Sequence, residues 1–350
     1  MRKVDFEYYL LDENDQPKKP LSISKSNRLN NVTSGNLSYS SLGRLKSSLE
    51  VTIVELENSL IDFMNDRIQV IANIDDTPYS LGVFLICSPN RQIDSTCTNR
   101  KLTCYSKLKI LDNDKVTSNY YLPAGSNVIN AVIRLLGNNP YRIDDCDKTT
   151  STEREWAVGT AKLDIINDLL DVINYQSLVV DVDGYFTTKS YVSPENREVE
   201  IQYLEGKDSV ISAKMVEDFD FFDIPNIFVR CTNDVNISPP LIATYPIQSG
   251  SEPITLDGRL PNVDVQQVTD VSDVETLYEI CKRDANNARN AYNHLQFYTE
   301  INPKHGYLNC VEVDCMGIHD KYIETSWNFD LSAGALMEHV ARKVVDLDAS

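Results

Sequence analysis

Short alternations of apolar and polar residues dominate the first third of the chain. The runs "SLEVTIV" (48–54), "RIQVIANI" (67–74) and "YSLGVFLIC" (79–87) are rich in β-forming residues, and turn signals such as "DENDQPKKP" and "DDTP" punctuate them, so each predicts a strand. A polar passage over 88–99 predicts a loop. Leu102, Cys104 and Leu108 then restore a period near two as far as Ile110, the second strand of an antiparallel pair. One short helical turn is expected in "ELENSLIDFMN" (55–65), where Leu56, Leu60 and Phe63 fall on one side. Residues 1–112 therefore predict a small β-barrel.

Beyond residue 112 the period lengthens. Ser126 is placed to cap "SNVINAVIRLLG", whose Val128, Ile129, Val132, Ile133 and Leu136 make a helical stripe ending at Gly137, a residue suited to a left-handed helix terminus. Thr160 opens "TAKLDIINDLLDVIN", with Leu163, Ile166, Leu169, Leu170 and Ile173 on one face. Two β-rich runs about an Asp-Gly pair, "SLVVDVDGYFTTKSYV", predict a hairpin, because glycine accepts the positive φ of the turn. Residues 113–200 thus read as an α/β accessory domain. Strands resume over 201–233 and again over 305–331, and the two stretches are expected to close a second, discontinuous barrel. Between them, 234–304 reads as an insertion with short strands such as "IATYPI" and one long helix. That helix is predicted from a capping box of Ser272 and Glu275 and a seam of Val274, Tyr278, Cys281, Ala285, Ala288, Tyr292 and Leu295, spanning roughly 35 Å. Residues 332–350 are expected to form a tail helix. The fold class so read is α+β and β-rich.

Composition narrows the chemistry. A chain of 350 residues, 42% hydrophobic and 24% charged, is long enough for several cores. Its 52 acidic against 33 basic residues give a net charge of −19, which repels nucleic-acid phosphates and disfavours tight nucleic-acid binding. The N-terminal apolar cluster is too brief for a signal-peptide core, and no run approaches the roughly 20 apolar residues of a membrane span, so a soluble protein made in a cytoplasm is expected. Eight cysteines, at 87, 97, 104, 146, 231, 281, 310 and 315, include no CxxC pair and have no histidine at finger spacing; they read as reduced, semi-buried packing residues. Cys310 and Cys315, an odd number apart in a strand-like run, should point to opposite faces.

Each candidate site has a plainer reading that fits better. In "DVDGYF", Asp181, Asp183 and Gly184 match positions three, five and six of an EF-hand loop. However, Val179 and Ser190 occupy positions one and twelve, so the bidentate carboxylate is missing and a hairpin turn is favoured. His294, His305, His319 and His339 form no zinc-binding spacing. No GxSxG, GxGxxG or P-loop pattern occurs. Glu217, Asp218, Asp220 and Asp223 form the densest carboxylate cluster, read as a solvated edge with Phe219, Phe221 and Phe222 turned inward. No catalytic, cofactor-binding or metal-ligating residue is expected, and no cofactor.

Taken together, "YSLGVFLICSP", "KLTCYSKLKIL", "YYLPAGSNVINAVIRLLG" and "VDVDGYFTTKSYVSP", with the closing "ETSWNFDLSAGALMEHVARKV", resemble the hub portion of phage tail proteins. That family includes baseplate hubs of contractile tails and the tail-tip, or tail-associated lysin, proteins of long-tailed phages. The resemblance implies two tube-like antiparallel β-barrels per chain plus accessory domains, and three chains in a ring. Six near-equivalent barrels then mate a threefold hub with a sixfold tube. It implies a non-enzymatic virion tail protein assembled in the host cytoplasm, forming a channel for DNA. Its partners would be a tail or tube protein on one side, a tip, spike or fibre protein on the other, and a tape-measure protein or DNA passing the lumen unbound. Longer members carry a lytic region, whereas this sequence stops at Ser350, so lytic activity is not expected of it. Two rival readings remain open: a cell-wall hydrolase using the 217–223 carboxylates, and a host-glycan binding module using some of the 18 tyrosines.

Overall fold

The computed structural model describes residues 2–18, 27–55, 61–95, 97–150, 152–206, 210–219, 224–232, 239–248, 255–256, 259–268, 273–289 and 293–344. The elements begin with β1 (Val4–Leu11), β2 (Val32–Ser40), β3 (Ser47–Val54), β4 (Arg67–Ile74), β5 (Thr77–Ile93), β6 (Thr98–Ser106) and α1 (Leu108–Asn113). They continue through β7 (Tyr120–Leu122), α2 (Val128–Leu136), β8 (Tyr141–Arg142), β9 (Arg154–Trp156), α3 (Lys162–Val172), β10 (Val179–Val180) and β11 (Phe186–Thr187). Next come β12 (Ile201–Leu204), β13 (Ile211–Phe219), β14 (Ile227–Thr232), β15 (Ile242–Pro246), β16 (Val263–Val268) and α4 (Val274–Arg289). The last are β17 (Asn293–Glu300), β18 (Cys310–Cys315), β19 (Ile318–Asp330) and β20 (Leu336–Lys343). Strand makes up 48% of the chain and helix 14%, so the protein is β-rich. Two compact units share it: Met1–Val192 with Thr299–Tyr307 and Ser326–Glu338, and Ser193–Tyr298 with Leu308–Thr325 and His339–Ser350.

In the first unit the hydrogen-bonded order is β1-β4-β5-β6-β3-β2-β19, the last place taken by residues 326–330, and every neighbouring pair is antiparallel. Alternation fixes the inside: Leu49, Val51 and Ile53 of β3 are buried while Glu50 faces water. Tyr8 and Leu10 of β1 share one apolar core with Trp327, Phe329 and Met337, and the Phe6 and Phe329 rings lie 6.3 Å apart. Strands from opposite ends of the ladder meet on that core, so the sheet curls. Gly35 permits the approach, since a Cβ there would lie 2.9 Å from both Leu331 Cδ1 and Tyr8 Oη. Backbone bonds lead from β1 back to the segment that enters β2, the Leu10 N–H donating to the Asn27 carbonyl at 2.9 Å and the Leu29 N–H to the Tyr8 carbonyl at 2.8 Å; this is a short bridge across a curled sheet, and among the described residues no strand-length ladder closes it into the expected barrel.

The helical part of the first unit has its own core. Val128, Ile129, Val132 and Leu136 of α2 pack with Leu163, Ile166, Leu169 and Leu170 of α3 and with Leu108 and Leu111 of α1. The predicted faces are the buried ones, but the caps shift by one residue. Asn127 caps α2, its side chain accepting from the Asn130 N–H at 2.8 Å, while Ser126 Oγ donates to the Pro123 carbonyl. Ala161 precedes α3 with no side-chain cap, and Thr160 Oγ1 donates to the Ala157 carbonyl.

In the second unit the order is β13-β17-β20-β19-β18-β12. β18 is antiparallel to β19, whereas β12 runs parallel to β18, a departure from the all-antiparallel expectation. Tyr203, Leu295, Phe297, Val311, Val313, Cys315, Tyr322 and Ala341 form the core of this sheet. A separate sheet, β15-β14-β16, has α4 on one face, with Phe228, Ala243, Leu277, Cys281 and Ala285 between them.

Four expected elements differ. The polar passage 88–99 is not a loop: β5 continues to Ile93 and pairs with β6 from Ser88 opposite Thr103 to Ile93 opposite Thr98. Most of that arm faces water on both sides, so no alternation marks it, yet its backbone groups still pair. Strand β6 ends at Ser106, and Leu108 opens α1. The long helix stops at Arg289, about 24 Å from its start; Asn293, Leu295 and Phe297 are buried at period two in β17. The tail helix is instead strand β20, in which Met337, His339 and Ala341 alternate inward and cross-strand packing overrides helix propensity. In the 55–65 turn, Leu56 and Leu60 lie outside the described residues, and so does the Ser272 cap; Asp273 caps α4, accepting the Thr276 N–H at 2.7 Å.

Candidate functional site

The Asp-Gly hairpin is a docking turn. Asp181 Oδ1 accepts the backbone N–H groups of Asp183 (3.0 Å) and Tyr185 (2.9 Å), which closes the turn, and Gly184 adopts φ +88°. Arg142 supplies the positive charge: its Nη1 donates to Asp181 Oδ2 at 3.0 Å and Asp183 Oδ2 at 2.7 Å, and its guanidinium lies 3.8 Å from the Tyr185 ring centre. The turn binds the curled sheet at β5, where Ser80 Oγ donates to the Val182 carbonyl at 2.7 Å. A Cβ on Gly184 would come within 3.3 Å of Val83 Cγ2, so glycine serves both the turn and the contact.

Lys107 completes the clamp. It is 1% exposed, donates to the Gly184 carbonyl at 2.7 Å, pairs with Asp15 at 2.5 Å and faces the Phe186 ring. Burial lowers the pKa of Lys107, and the Asp15 carboxylate opposes that shift. Asp15 also meets Arg67 at 3.2 Å. The arrangement couples the α/β part of the first unit to its sheet. The hairpin was legible in sequence. Its partners Lys107, Asp15 and Arg142 were not, because only the fold gathers them.

In the second unit Arg230 of β14, 1% exposed, reaches Asp264 Oδ2 of β16 at 2.7 Å and Asp284 Oδ2 of α4 at 2.6 Å. Burial works to lower its pKa, but the hydrogen bonds to the two carboxylates prevail and hold it above its ordinary value. The guanidinium thereby ties helix to sheet. His339 of β20 and Glu324 of β19 are both buried, with Nδ1 and Oε1 2.6 Å apart, and the imidazole stacks on Phe297 at 4.6 Å. No spacing rule links residues fifteen apart on neighbouring strands, so the pair was invisible in sequence.

Glu217 and Asp218 are exposed on β13 beside Phe219, which is 43% exposed instead of turned inward; Asp220 and Asp223 lie outside the described residues. His319 is exposed and bonded to Asp314, His294 is half-buried on β17, and His305 is buried in the first unit. All eight cysteines are free. Cys315 packs with Val311 and Val313, whereas Cys310 is buried outside that cluster; Cys87 and Cys97 are exposed, unlike the semi-buried packing expected. A groove of about 260 Å³ on the first unit is lined by Lys3, Asp5, Glu7, Asn73 and Asp76, all polar. It lacks the apolar walls that orient a small substrate. Among the described residues, no helix is long and apolar enough to cross a membrane.

No protein-family model and no curated protein matches the sequence. Solved structures do match the fold. A tail protein from Neisseria meningitidis superposes with a TM-score of 0.69 at 11% identity, covering 97% of this chain and 96% of its own. The 43 kDa tail protein of prophage MuSo2 from Shewanella oneidensis gives 0.66 at 11% identity, covering 97% and 98%. An E. coli type VI secretion component, described as similar to the T4 bacteriophage tail proteins gp27 and gp5, gives 0.54 at 7% identity over 90% of this chain and 74% of its own. The chain has the fold of these tail proteins.

Proposed function

We propose that this chain, with the fold of prophage tail proteins, is a structural, non-enzymatic hub of a phage or phage-like tail. The observation that carries the reading is end-to-end likeness: two tail proteins align over 97% of the chain with nearly the whole of their own lengths. A likeness that stopped at one unit would suit a shared module; one that runs through both suits a shared architectural role. In this reading the large sheets of the two units act as paired tube-like modules, and three copies place six such modules around an axis to meet a sixfold tube. A tube protein binds one end and a tip, spike or fibre protein the other.

The charge supports passage over binding. A lumen drawn from a chain of net charge −19 repels phosphates, so DNA or a tape-measure protein moves through without being held. Electron microscopy with native mass measurement of the full chain tests the proposal. A threefold ring with an axial channel is expected; a population without rings or channel overturns it, and a ring with a positive lumen removes the electrostatic part.

A further inference from the structure

Lys107 and Asp15 meet in a setting that a simple ion pair does not need. The lysine side chain is 1% exposed and the aspartate side chain 16%, with Nζ 2.5 Å from Oδ2. Asp15 lies in the turn after β1, its N–H donating to the Asp12 carbonyl at 3.0 Å; Lys107 lies 92 residues further on, between β6 and α1. Arg67 brings a second cation to the same carboxylate, its Nη1 standing 3.2 Å from Oδ1. Among the described residues neither cation has another carboxylate within ion-pair reach. Oδ1 is buried and accepts no hydrogen bond, which leaves the anion poorly stabilised, and a buried polar atom in that state calls for a chemical reason. Arginine keeps its proton, so the excess positive charge is relieved at Lys107. Burial, chiefly, and then the Arg67 charge favour its neutral amine, against the pull of Asp15.

We infer that Lys107 Nζ and Asp15 Cγ condense into an intramolecular isopeptide bond, a self-made covalent tie inside the first unit. Lys107 first passes one proton to Asp15 Oδ2 across their contact, leaving an amine and a carboxylic acid. The amine lone pair attacks Cγ and the C–N bond forms, while the negative charge that develops on Oδ1 faces the Arg67 guanidinium. A second Nζ proton moves to Oδ2, the C–Oδ2 bond breaks and one water leaves. The proton that Nζ keeps is donated to the Gly184 carbonyl, already 2.7 Å away. One positive and one negative charge disappear together, so the net charge stays at −19 and no oxidant or cofactor takes part. In open water the reverse reaction would win. Here the two groups are held in contact, a placement equivalent to about 10⁵–10⁸ M of reactant, and the amide removes two charges from a site that solvates them poorly. The bond makes permanent the meeting of the turn after β1 with the β6–α1 junction, beside the β10–β11 hairpin. It is independent of the hub role proposed above.

The test is the intact mass of the full chain, purified folded and then denatured, followed by peptide mapping. The unaltered chain is expected to be lighter than its sequence by one water, and digestion should yield a branched peptide joining Lys107 to Asp15. Asp15→Ala and Lys107→Arg should keep the full sequence mass, the second because a guanidinium retains the charge without the nucleophile. Arg67→Gln should form the bond on the order of 100-fold more slowly when mass is followed from the end of cell-free synthesis. An unaltered chain at full sequence mass, with no branched peptide, overturns the inference and leaves an ordinary ion pair. That measurement decides even where a variant fails to fold, which circular dichroism detects. A water lost equally from Asp15→Ala also overturns it, by placing the dehydration elsewhere. An unchanged rate in Arg67→Gln overturns the part assigned to Arg67.

Discussion

Behind the curled sheet of the first unit lie Leu37, Leu49, Val51, Ile68, Val70 and Leu102, a core assembled from side chains that alternation alone sends inward. Behind the three-stranded sheet of the second unit lies Arg230, 1% exposed and held by Asp264 and Asp284 among only a few apolar residues. The first core is stabilised by area and shape, so it degrades in proportion to what is removed. The second depends on a charge whose partners must all be present, because an unpaired buried ion is far costlier than a missing methyl group. A large apolar core tolerates approximate placement; a small one with a buried cation fixes one arrangement of helix and sheet.

The largest expected effect comes from breaking the charged core. Asp264→Asn with Asp284→Ala leaves Arg230 uncompensated and should cost about 4 kcal/mol, read as lost hydrogen-exchange protection across α4; a loss below about 1 kcal/mol would show that Arg230 is already hydrated. Next is Leu49→Ala, which empties a fully buried position of the apolar core and should cost about 3 kcal/mol in urea unfolding. Protection of α4 should be unchanged in that variant, and a loss there would mean the two cores do not respond independently.

Tyr8 sharpens the comparison through pH. Burial first, and Asp5 second, push its pKa up from an ordinary 10.0 to about 12. The folded state therefore holds the proton more tightly. The associated stability is complete below pH 10 and lost as pH rises through about 12, up to roughly 3 kcal/mol. Tyr8→Phe should flatten this alkaline limb, which spectrophotometric titration alongside thermal unfolding detects; an unchanged limb would assign it to other groups. The smallest effect is Asp273→Ala at the α4 cap, about 1 kcal/mol of helix stability by hydrogen exchange, with Asp273→Ser retaining most of it. No loss in either variant would mean the cap contributes nothing.

The strands of the first unit were readable because one wet face and one dry face leave a period of two in the sequence, as in 48–54 and 67–74. The β5–β6 arm escaped because it is wet on both faces, and β16 escaped because its polar and apolar residues fall within a stretch with few apolar anchors. The tail and the end of the long helix were misread for the opposite reason. Leu295 satisfies a helical seam and a strand alternation equally, and "LMEHVARK" is made of good helix formers that the neighbouring strands hold extended.

By itself the sequence determined that this is a β-rich chain with amphipathic helices, an Asp-Gly hairpin and a strongly acidic surface, since each follows from local periodicity, turn chemistry or a sum of charges. Only the tertiary structure decided that the hairpin would clamp a sheet through Lys107 and that Arg230 would meet Asp264 and Asp284. Those outcomes depend on strand register and on which segments become neighbours, and such long-range pairings leave no period along the chain.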